Sequence, residues 1–399
     1  MIAAGIAAEG GCCVHLFEKN EKLGRKLFIT GKGRCNITNA VPKDAYLENI
    51  ITNPKFLYSA INSFDCFDVI EFFENLGVKT KTERGNRVFP ISDKAADVVT
   101  ALERYIRKCG VNIHLSSSVK DIIVSEKKEV TGVFLSNGKM FDCDSVIIAT
   151  GGLSYPGTGS TGDGYNFAEK MGHSITKLYP SLVPLISDDN FIQELQGLSL
   201  KNVGVTVFAS GKVIYKDFGE LLFTHFGLSG PTILSASSYL HGKYQENPII
   251  SIDLKPAMPA DELDKRLLKD FEKYANKDFV NALNELLPKK MIPVIINRAG
   301  IPQTKKVRDI TKKERRTLVD LLKSFTCSIK GASGFSNAVI TKGGVSVKDI
   351  DAKTMKSKLV SGLYFAGEVI DVDGYTGGFN LQIAFSTGYL AGKNICEAL

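Results

Sequence analysis

The residues best suited to chemistry gather near the end of the chain, in GLYFAGEVIDVDGYTGGFNLQIAFSTGYLAG (362–392). A hydrophobic strand there leads into Gly367 and Glu368, and Asp371 and Asp373 precede a small-residue helix that has Asn380 near its start. A helix N-terminus stabilises negative charge and offers unpaired N–H groups, and nearby acids can hold sugar-like hydroxyl groups. The stretch therefore predicts a site for a large ligand with a polyol chain and a polar ring edge.

A second candidate site is the basic, glycine-rich loop GRKLFITGKGRCNITN (24–39). Its cations, which include Arg25, Lys26 and Arg34, could neutralise a diphosphate, and its glycines free backbone amides to approach a phosphate or a ring. A charge-rich surface loop is the alternative. Cys35 lies beside these cations, which can lower the pKa of a thiol, but no second cysteine is near in sequence. We therefore favour a structural or ring-contacting Cys35.

Two strand ends supply further candidates. The strand VHLFE ends in Glu18, whose carboxylate can accept hydrogen bonds from both hydroxyls of a ribose. The alternative is a solvated acid at a strand end. The strand SVIIATGG places Gly151 at its carboxyl end, where ligands gather in open α/β sheets. The Gly-, Ser- and Thr-rich turn that follows lacks the Lys-Ser/Thr ending of a phosphate-binding P-loop.

A histidine stands out in ELLFTHFGLSGP (220–231), where His225 lies near Thr224 and Ser229. A Ser–His hydrolase would need an acid and a G-x-S-x-G turn, and the sequence has no such turn. His225 is therefore a candidate proton donor to a substrate, with a structural histidine as the alternative.

The elements that would position these residues begin at the first residue. MIAAGIAAEGG predicts a helix with a small-residue face that ends at Gly10, and CCVHLFE follows as a buried strand. Helix, glycine, strand and acid form the second half of a dinucleotide-binding βαβ unit. An amphipathic helix at 95–109 and three short strands with an Asn137-Gly138 hairpin turn come next.

The texture of the sequence changes after residue 178 and returns to that of the beginning near the end. We expect 1–178 and 342–399 to form one α/β domain. We expect 179–341 to form an inserted domain, β-rich at 179–257 and 326–341 and helical at 258–325.

Composition sets the broad class. The 399 residues are 44% hydrophobic and carry a net charge of +7, and the eight cysteines show no metal-type spacing, so we expect no metal site. No apolar run approaches the ~20 residues of a membrane helix, so we expect a cytoplasmic protein that does not contact membranes. The basic helices near Lys305–Arg316 suggest RNA binding, but without interleaved aromatics we expect no nucleic-acid partner.

Five blocks in order extend over almost the whole chain: EKNEKLGRKLFITGKGRCNITN, ATGGLSYPGTGSTGDGY, PSLVPL, ELLFTHFGLSGP and GEVIDVDGYTGGFNLQIAFSTG. On these blocks the chain resembles the NAD(P)/FAD-dependent oxidoreductases that include aminoacetone oxidases and a bile-acid dienone reductase. The resemblance implies an α/β fold, with a Rossmann-like FAD-binding domain and an inserted β-rich plus helical domain. It implies FAD as cofactor and NAD(P)H as electron donor.

The resemblance also implies residue roles. Glu18 would bind the adenosine ribose, and the backbone of Val119 would contact adenine. The residues that would lie along the cofactor or line its ribityl chain and ring are Arg25, Lys26, Gly33, Arg34, Cys35, Asn36, Gly367, Glu368, Asp371, Gly378, Asn380, Leu381 and Gln382.

Members of that family carry one further strand and a G-G-G-x-A-G turn just before the position of Met1, and this turn holds the pyrophosphate. We expect a misassigned start or a shortened chain, and the alternative is a natural short form that has lost FAD.

The expected reaction is hydride transfer through FAD to a small molecule, for example reduction of a conjugated enone in a 3-oxo bile acid or steroid. Oxidation of an aminoketone by O₂ is the alternative, and a flavin-dependent RNA-modifying or RNA-binding protein is a lesser one.

Overall fold

The computed structural model describes residues 1–242 and 247–397, which divide into two compact units. Unit 1 combines Met1–Ser181 with the segment that begins at Phe335, and unit 2 is Leu182–Gly334. The first boundary therefore lies a few residues after the predicted 178, and the second lies before Phe335 rather than after 341.

Unit 1 contains the following helices and strands: α1 (Ile2–Glu9), β1 (His15–Phe17), α2 (Arg25–Ile29), β2 (Thr38–Asn39), α3 (Lys43–Glu48), β3 (Ile50–Thr52), α4 (Tyr58–Ser63), α5 (Cys66–Asn75), β4 (Thr80–Glu83), β5 (Arg87–Pro90), α6 (Ala95–Lys108), β6 (Asn112–His114), β7 (Val119–Val124), β8 (Val130–Leu135), β9 (Met140–Asp142), β10 (Val146–Ile148), α7 (Asp163–Lys170) and β11 (Tyr179–Ser181).

Unit 2 follows with β12 (Leu185–Ile186), α8 (Phe191–Glu194), β13 (Ser199–Ala209), β14 (Lys212–Phe223), β15 (Gly227–Ser229), α9 (Pro231–Ser237), β16 (Ile249–Asp253), α10 (Ala260–Lys273), α11 (Phe279–Ala282), α12 (Met291–Ala299), α13 (Lys312–Lys323), β17 (Phe325–Ser328) and β18 (Gly331–Ala332). The chain then returns to unit 1 with β19 (Ile340–Lys342), β20 (Leu363–Phe365), β21 (Asp373–Gly374) and α14 (Phe379–Glu397).

Unit 1 contains two parallel strand pairs. β1 pairs with β6, and β10 pairs with β20, which comes from the far end of the chain. Within the described residues no strand pairing joins the two pairs. β11 pairs with β19 in the antiparallel sense, which keeps both strands in unit 1 and explains why its boundaries differ from the prediction.

The two ends of the chain meet where α1 packs against α14. A Cβ atom placed on Gly392 would lie 2.6 Å from the carbonyl oxygen of Ala3, so the two helix backbones are in near contact. Beyond α1, the Sγ atoms of Cys12 and Cys396 lie 3.2 Å apart. The small residues of both helices permit this close approach.

Unit 2 is built on an antiparallel sheet in the order β17-β16-β13-β14-β15-β12-β18. The helices α10 to α13 form an excursion between β16 and β17, which pair with each other directly. The predicted helical segment is therefore enclosed by strands of the same sheet. In the part of the chain that the structure describes, no helix has the length and apolarity that a membrane crossing requires.

Candidate functional site

The predicted site residues of unit 1 gather at the carboxyl ends of its parallel strands. Glu18 directly follows β1, Gly151 comes after β10, and Gly367 and Glu368 follow β20. Gly151 and Gly367 both have positive φ, at 74° and 77°, which allows the chain to turn sharply at this edge. Because β10 and β20 pair directly, their turns lie side by side.

The turn after α2 has an unusual backbone. Gly31, Lys32, Gly33 and Cys35 all have positive φ, at 57°, 58°, 83° and 59°. Such strain in residues other than glycine is concentrated at functional sites. A Cβ on Gly33 would meet no atom within 4 Å, so the backbone here is open to an approaching ligand.

Cys35 is fully buried below this turn. Burial raises the pKa of its thiol to about 12, and a hydrogen bond with Thr30 opposes this only in part. The side chain therefore stays a thiol at neutral pH, which favours the structural or ring-contacting interpretation over redox chemistry.

Arg34 is held by the protein itself. Its guanidinium donates to Glu83 and Asp93 and lies 4.1 Å over the ring of Phe89. The bond from Arg34 is the main cause that lowers the pKa of the Glu83 carboxyl. The charge of Arg34 is thus already balanced, which leaves little of it for a diphosphate.

Glu18 and Arg25 meet through Asn20. One carboxyl oxygen of Glu18 accepts hydrogen bonds from the backbone N–H and the side-chain amide of Asn20, at 2.9 and 2.6 Å. Arg25 donates to the Asn20 side-chain oxygen at 2.8 Å. The second oxygen of Glu18 has no hydrogen bond among the described residues, so it can still accept one.

A dense polar network surrounds Glu368. Lys26 donates to one carboxyl oxygen, while the other accepts from Ser154 Oγ at 2.6 Å and from the backbone N–H of Thr341 at 2.8 Å. Lys26 also donates to Ser154. The network unites two predicted residues, Lys26 and Glu368, from opposite ends of the chain. Ser154 and Thr341 were not predicted from the sequence to belong to this site.

A pair of buried acids lies farther along the same stretch. Burial raises the pKa of the carboxyl groups of Asp371 and Asp373. Asp371 accepts from Asn53, but neither carboxyl oxygen of the fully buried Asp373 has a hydrogen-bond partner among residues 1–242 and 247–397. The Lys342 ammonium lies 3.7 Å from Asp373. Both acids precede the predicted helix in the DVDG motif, but only Asp371 was predicted to contact the cofactor.

The predicted residues on α14 and just before it serve mainly to position the backbone. Both side-chain amide hydrogens of Asn380 bind backbone oxygens of Gly374 and Tyr375. The fully buried Gln382 donates to the Phe64 carbonyl and to Ser386 and accepts from Thr38. A Cβ on Gly378 would lie 2.4 Å from the backbone of Thr38, and Leu381 is half-buried. These side chains can act on a ligand chiefly through the backbone they position.

Two further predicted residues lie on other elements. Val119 opens β7 and pairs with Leu135 of β8. His225 is exposed in the turn between β14 and β15 of unit 2, where its ring contacts that of Phe226. A role for His225 as proton donor stays a prediction.

Several buried polar atoms of unit 1 have no hydrogen-bond partner in the described chain: Asn36 Oδ1, Asn39 Oδ1, Tyr165 Oη and both carboxyl oxygens of Asp373. Buried polar groups are normally hydrogen-bonded, so such a set calls for an explanation. Asn36 and Asp373 belong to the two stretches for which the sequence predicted a polar ligand. The residues present therefore fit a polar, hydroxyl-bearing ligand.

Comparison with known proteins gives one family match and several relatives. Residues 1–394 match the family described as HI0933-like protein Rossmann domain. The chain is 32% identical to the 3-dehydro-bile acid delta(4,6)-reductase of Clostridium scindens, over 99% of this chain and 96% of that protein. It is 35% identical to the ribosomal RNA dihydrouridine synthase of Haemophilus influenzae, over 99% of this chain and 95% of that protein.

Among solved structures, the chain is similar to 3-ketosteroid delta1-dehydrogenase from Sterolibacterium denitrificans. The TM-score is 0.55 at 13% identity, and the match covers 100% of this chain and 97% of the other. This likeness concerns the fold.

Proposed function

The chain belongs to the HI0933-like Rossmann-domain family, and from this we propose that it is an FAD-dependent oxidoreductase that reduces a carbon–carbon double bond conjugated to a carbonyl group. The names of two relatives support this reaction. A 3-dehydro bile acid carries a ketone at C3, and a delta(4,6) system is conjugated to it. Formation of dihydrouridine saturates the C5–C6 bond of uracil, which is conjugated to the C4 carbonyl. The two reactions therefore share one type of chemistry.

The residues that would hold FAD are those predicted from the sequence, and the geometry supports a division of roles. The free carboxyl oxygen of Glu18 would accept from the adenosine ribose. The turn 30–36 offers a strained, open backbone to the cofactor. Glu368 and Asp371 would accept hydrogen bonds from ribityl hydroxyls, and Asp373 and Tyr165 supply further polar atoms that lack partners.

Bound FAD would supply hydride from its reduced ring to the β-carbon of the substrate, and NAD(P)H would supply the electrons. The protein has to position the substrate and manage charge. Lys26 holds a positive charge inside the network of Glu368 and Ser154, and Lys342 holds another beside Asp373. His225 is our candidate for the proton that completes the reduction.

The observation that carries the proposal is the network of Lys26, Ser154 and Glu368, because it places a strand-end acid and a cation from both chain ends at one point. The test is calorimetric titration of the purified protein with FAD, followed by anaerobic addition of NADH or NADPH while the visible flavin absorbance is recorded. We expect binding and bleaching, and a protein that refuses FAD would contradict the proposal.

A matched pair of variants makes this test specific. Glu368→Gln is expected to weaken FAD binding by roughly tenfold or more, because a hydrogen bond to a charged group contributes about 1.5–3 kcal/mol. Glu126→Gln removes the same charge from an exposed turn of unit 1 and should bind FAD like the wild type. Equal affinities of the two variants would argue against Glu368 as a cofactor ligand.

We propose two candidate substrates. A 3-oxo bile acid or steroid enone is the first candidate, supported by the Clostridium scindens relative. A uracil base in ribosomal RNA is the second, supported by the Haemophilus influenzae relative. Anaerobic incubation of the reduced enzyme with each, with mass spectrometry of the product, separates them by which one gains two hydrogens. The alternative of an aminoketone oxidase would instead consume O₂ without NAD(P)H.

A further inference from the structure

A strongly basic segment lies in unit 2. The segment KKVRDITKKERR (305–316), here called the basic segment, contains seven Lys and Arg residues against Asp309 and Glu314. It includes a 3-10 turn at Val307–Asp309 and the first turns of α13. Such an excess of one charge in twelve residues raises the question of what neutralises it.

Part of this charge is balanced within the protein. The ion pairs of the basic segment are Lys305–Glu314 at 2.7 Å, Lys306–Asp278 at 2.8 Å, Arg308–Asp309 at 3.9 Å and Arg315–Asp264 at 2.7 Å. Lys312, Lys313 and Arg316 are exposed and have no ion pair or side-chain hydrogen bond with any described residue. These three residues are here called the free cations.

The acid on which Lys312 and Arg316 act, Asp264, is already paired with another cation. Lys312 and Arg316 help to lower the pKa of the Asp264 carboxyl, but the main cause is its hydrogen bond with Arg315. Arg315 binds both oxygens of Asp264, at 2.7 and 3.1 Å. One carboxylate therefore faces three cations, and an excess positive charge remains on this face of α13.

The position of the free cations does not serve the stability of α13. A helix N-terminus carries a partial positive charge, so lysines in the first turn are unfavourable there. The helix begins nonetheless because Thr311 and Glu314 form a capping box. Lys312 and Arg316 are four residues apart, about 6 Å along the helix axis, and Lys313 and Arg316 are three apart, so Arg316 neighbours both. Such a spacing presents cations in a row to an extended polyanion.

We propose that the free cations of α13 bind the phosphate backbone of an RNA that carries the base to be reduced. This inference rests on the second substrate candidate of the proposed function, and it replaces the expectation from the sequence that the protein has no nucleic-acid partner. Phosphate contacts supply affinity and register without reading sequence, which suits a protein whose chemistry is confined to one base. The net charge of the whole chain, +7, has the same sign as the free cations.

The test is fluorescence anisotropy of a labelled, uridine-containing single-stranded RNA with the full-length, flavin-loaded protein at several salt concentrations. The variant Lys312→Gln/Lys313→Gln/Arg316→Gln is expected to bind at least tenfold more weakly at low salt. Its slope of log K against log salt should fall by about two, because each phosphate contact to single-stranded RNA contributes about 0.7. Removal of cations from a helix N-terminus should not lower the melting temperature.

The matched control is Lys201→Gln/Lys212→Gln/Lys216→Gln, which removes three exposed lysines from the β13–β14 hairpin of the same unit. It should keep the affinity and salt slope of the wild type. Equal losses in both variants, wild-type binding by the α13 variant, or binding to anionic vesicles without binding to RNA would each overturn the inference. The readout requires no turnover, so it is independent of whether the flavin is reduced.

Discussion

At the scale of single residues, the buried polar side chains of unit 1 define the candidate site more sharply than its surface charges do. The guanidinium of Arg34 forms ion pairs with Glu83 and Asp93, whereas Asp373 is buried without a hydrogen-bond partner within the described chain. A carboxyl in that state costs free energy of folding unless a ligand or a proton compensates for it.

This leads to a prediction for Asp373→Asn. Burial raises the pKa of Asp373 in the folded protein above its ordinary 3.8. Between the two values the folded state holds a proton that the unfolded state has lost, so stability falls as pH rises through that window. In flavin-free protein we expect Asp373→Asn to raise the free energy of unfolding at pH 7 by on the order of 1 kcal/mol.

The measurement is thermal unfolding by circular dichroism from pH 4 to pH 8. The advantage of Asp373→Asn should become small near pH 4, where the carboxyl is protonated in the folded state and about half protonated in the unfolded state. Asp142→Asn, on the exposed strand β9, serves as the control and should change little at any pH. A lower melting temperature for Asp373→Asn at pH 7 would show that the ionised carboxylate is stabilised by a contact such as Lys342.

At the scale of secondary structure, α14 is the element on which unit 1 depends. It contacts α1, α4 and α5 and carries the fully buried Gln382 that ties Thr38, Phe64 and Ser386 together. The small residues on one face of α14 let the backbone of α1 approach closely. The contribution of the α1–α14 contact to stability can be tested at two glycines of α14.

Gly392→Ala should destabilise the protein by about 1–3 kcal/mol, because its Cβ would lie 2.6 Å from the Ala3 carbonyl oxygen and force the helices apart. Gly388→Ala is the matched control, since its Cβ would make an ordinary 3.7 Å contact with Ala3. It should be neutral or stabilising by up to about 1 kcal/mol through helix propensity. Urea unfolding of both variants gives the comparison, and equal effects would refute close packing at Gly392.

At the scale of the whole molecule, unit 1 is assembled from both ends of the chain and unit 2 from one continuous segment. The partners of β10, β11 and α1 are β20, β19 and α14, which all follow unit 2 in sequence. Unit 2 pairs its own strands in a single sheet. The two units should therefore differ in their ability to fold alone.

We expect the fragment 182–334 to unfold cooperatively in a thermal melt and to bind no FAD. The fragment 1–181 should show no cooperative transition, because its parallel pair β10·β20 and its α1–α14 contact are both incomplete. Circular dichroism and calorimetric titration of each fragment check this. A cooperative transition in 1–181 would contradict the account of how the two ends build unit 1.

Most of the local elements could be predicted from the sequence, because their signals are local. Small residues at helical spacing predicted α1, the apolar face at 95–109 predicted α6, and Asn137-Gly138 predicted the turn between β8 and β9. The strand-end positions of Glu18, Gly151 and Glu368 also followed, since a strand and the residue after it are contiguous. The family match confirmed the Rossmann fold that the motifs predicted.

Which side chains contact one another could be seen only in the folded molecule. Lys26 contacts Glu368, which lies 342 residues away in sequence. The side-chain amide of Gln382 donates to the Phe64 carbonyl oxygen rather than to a ligand. The same holds for Asp373, which is identical in type to its neighbour Asp371 but has no hydrogen-bond partner among the described residues. Residue type and periodicity indicate the hydrogen bonding within one helix or strand. Side-chain burial and the pairing of side chains depend on how segments that are distant in sequence pack together, and no local sequence pattern contains that information.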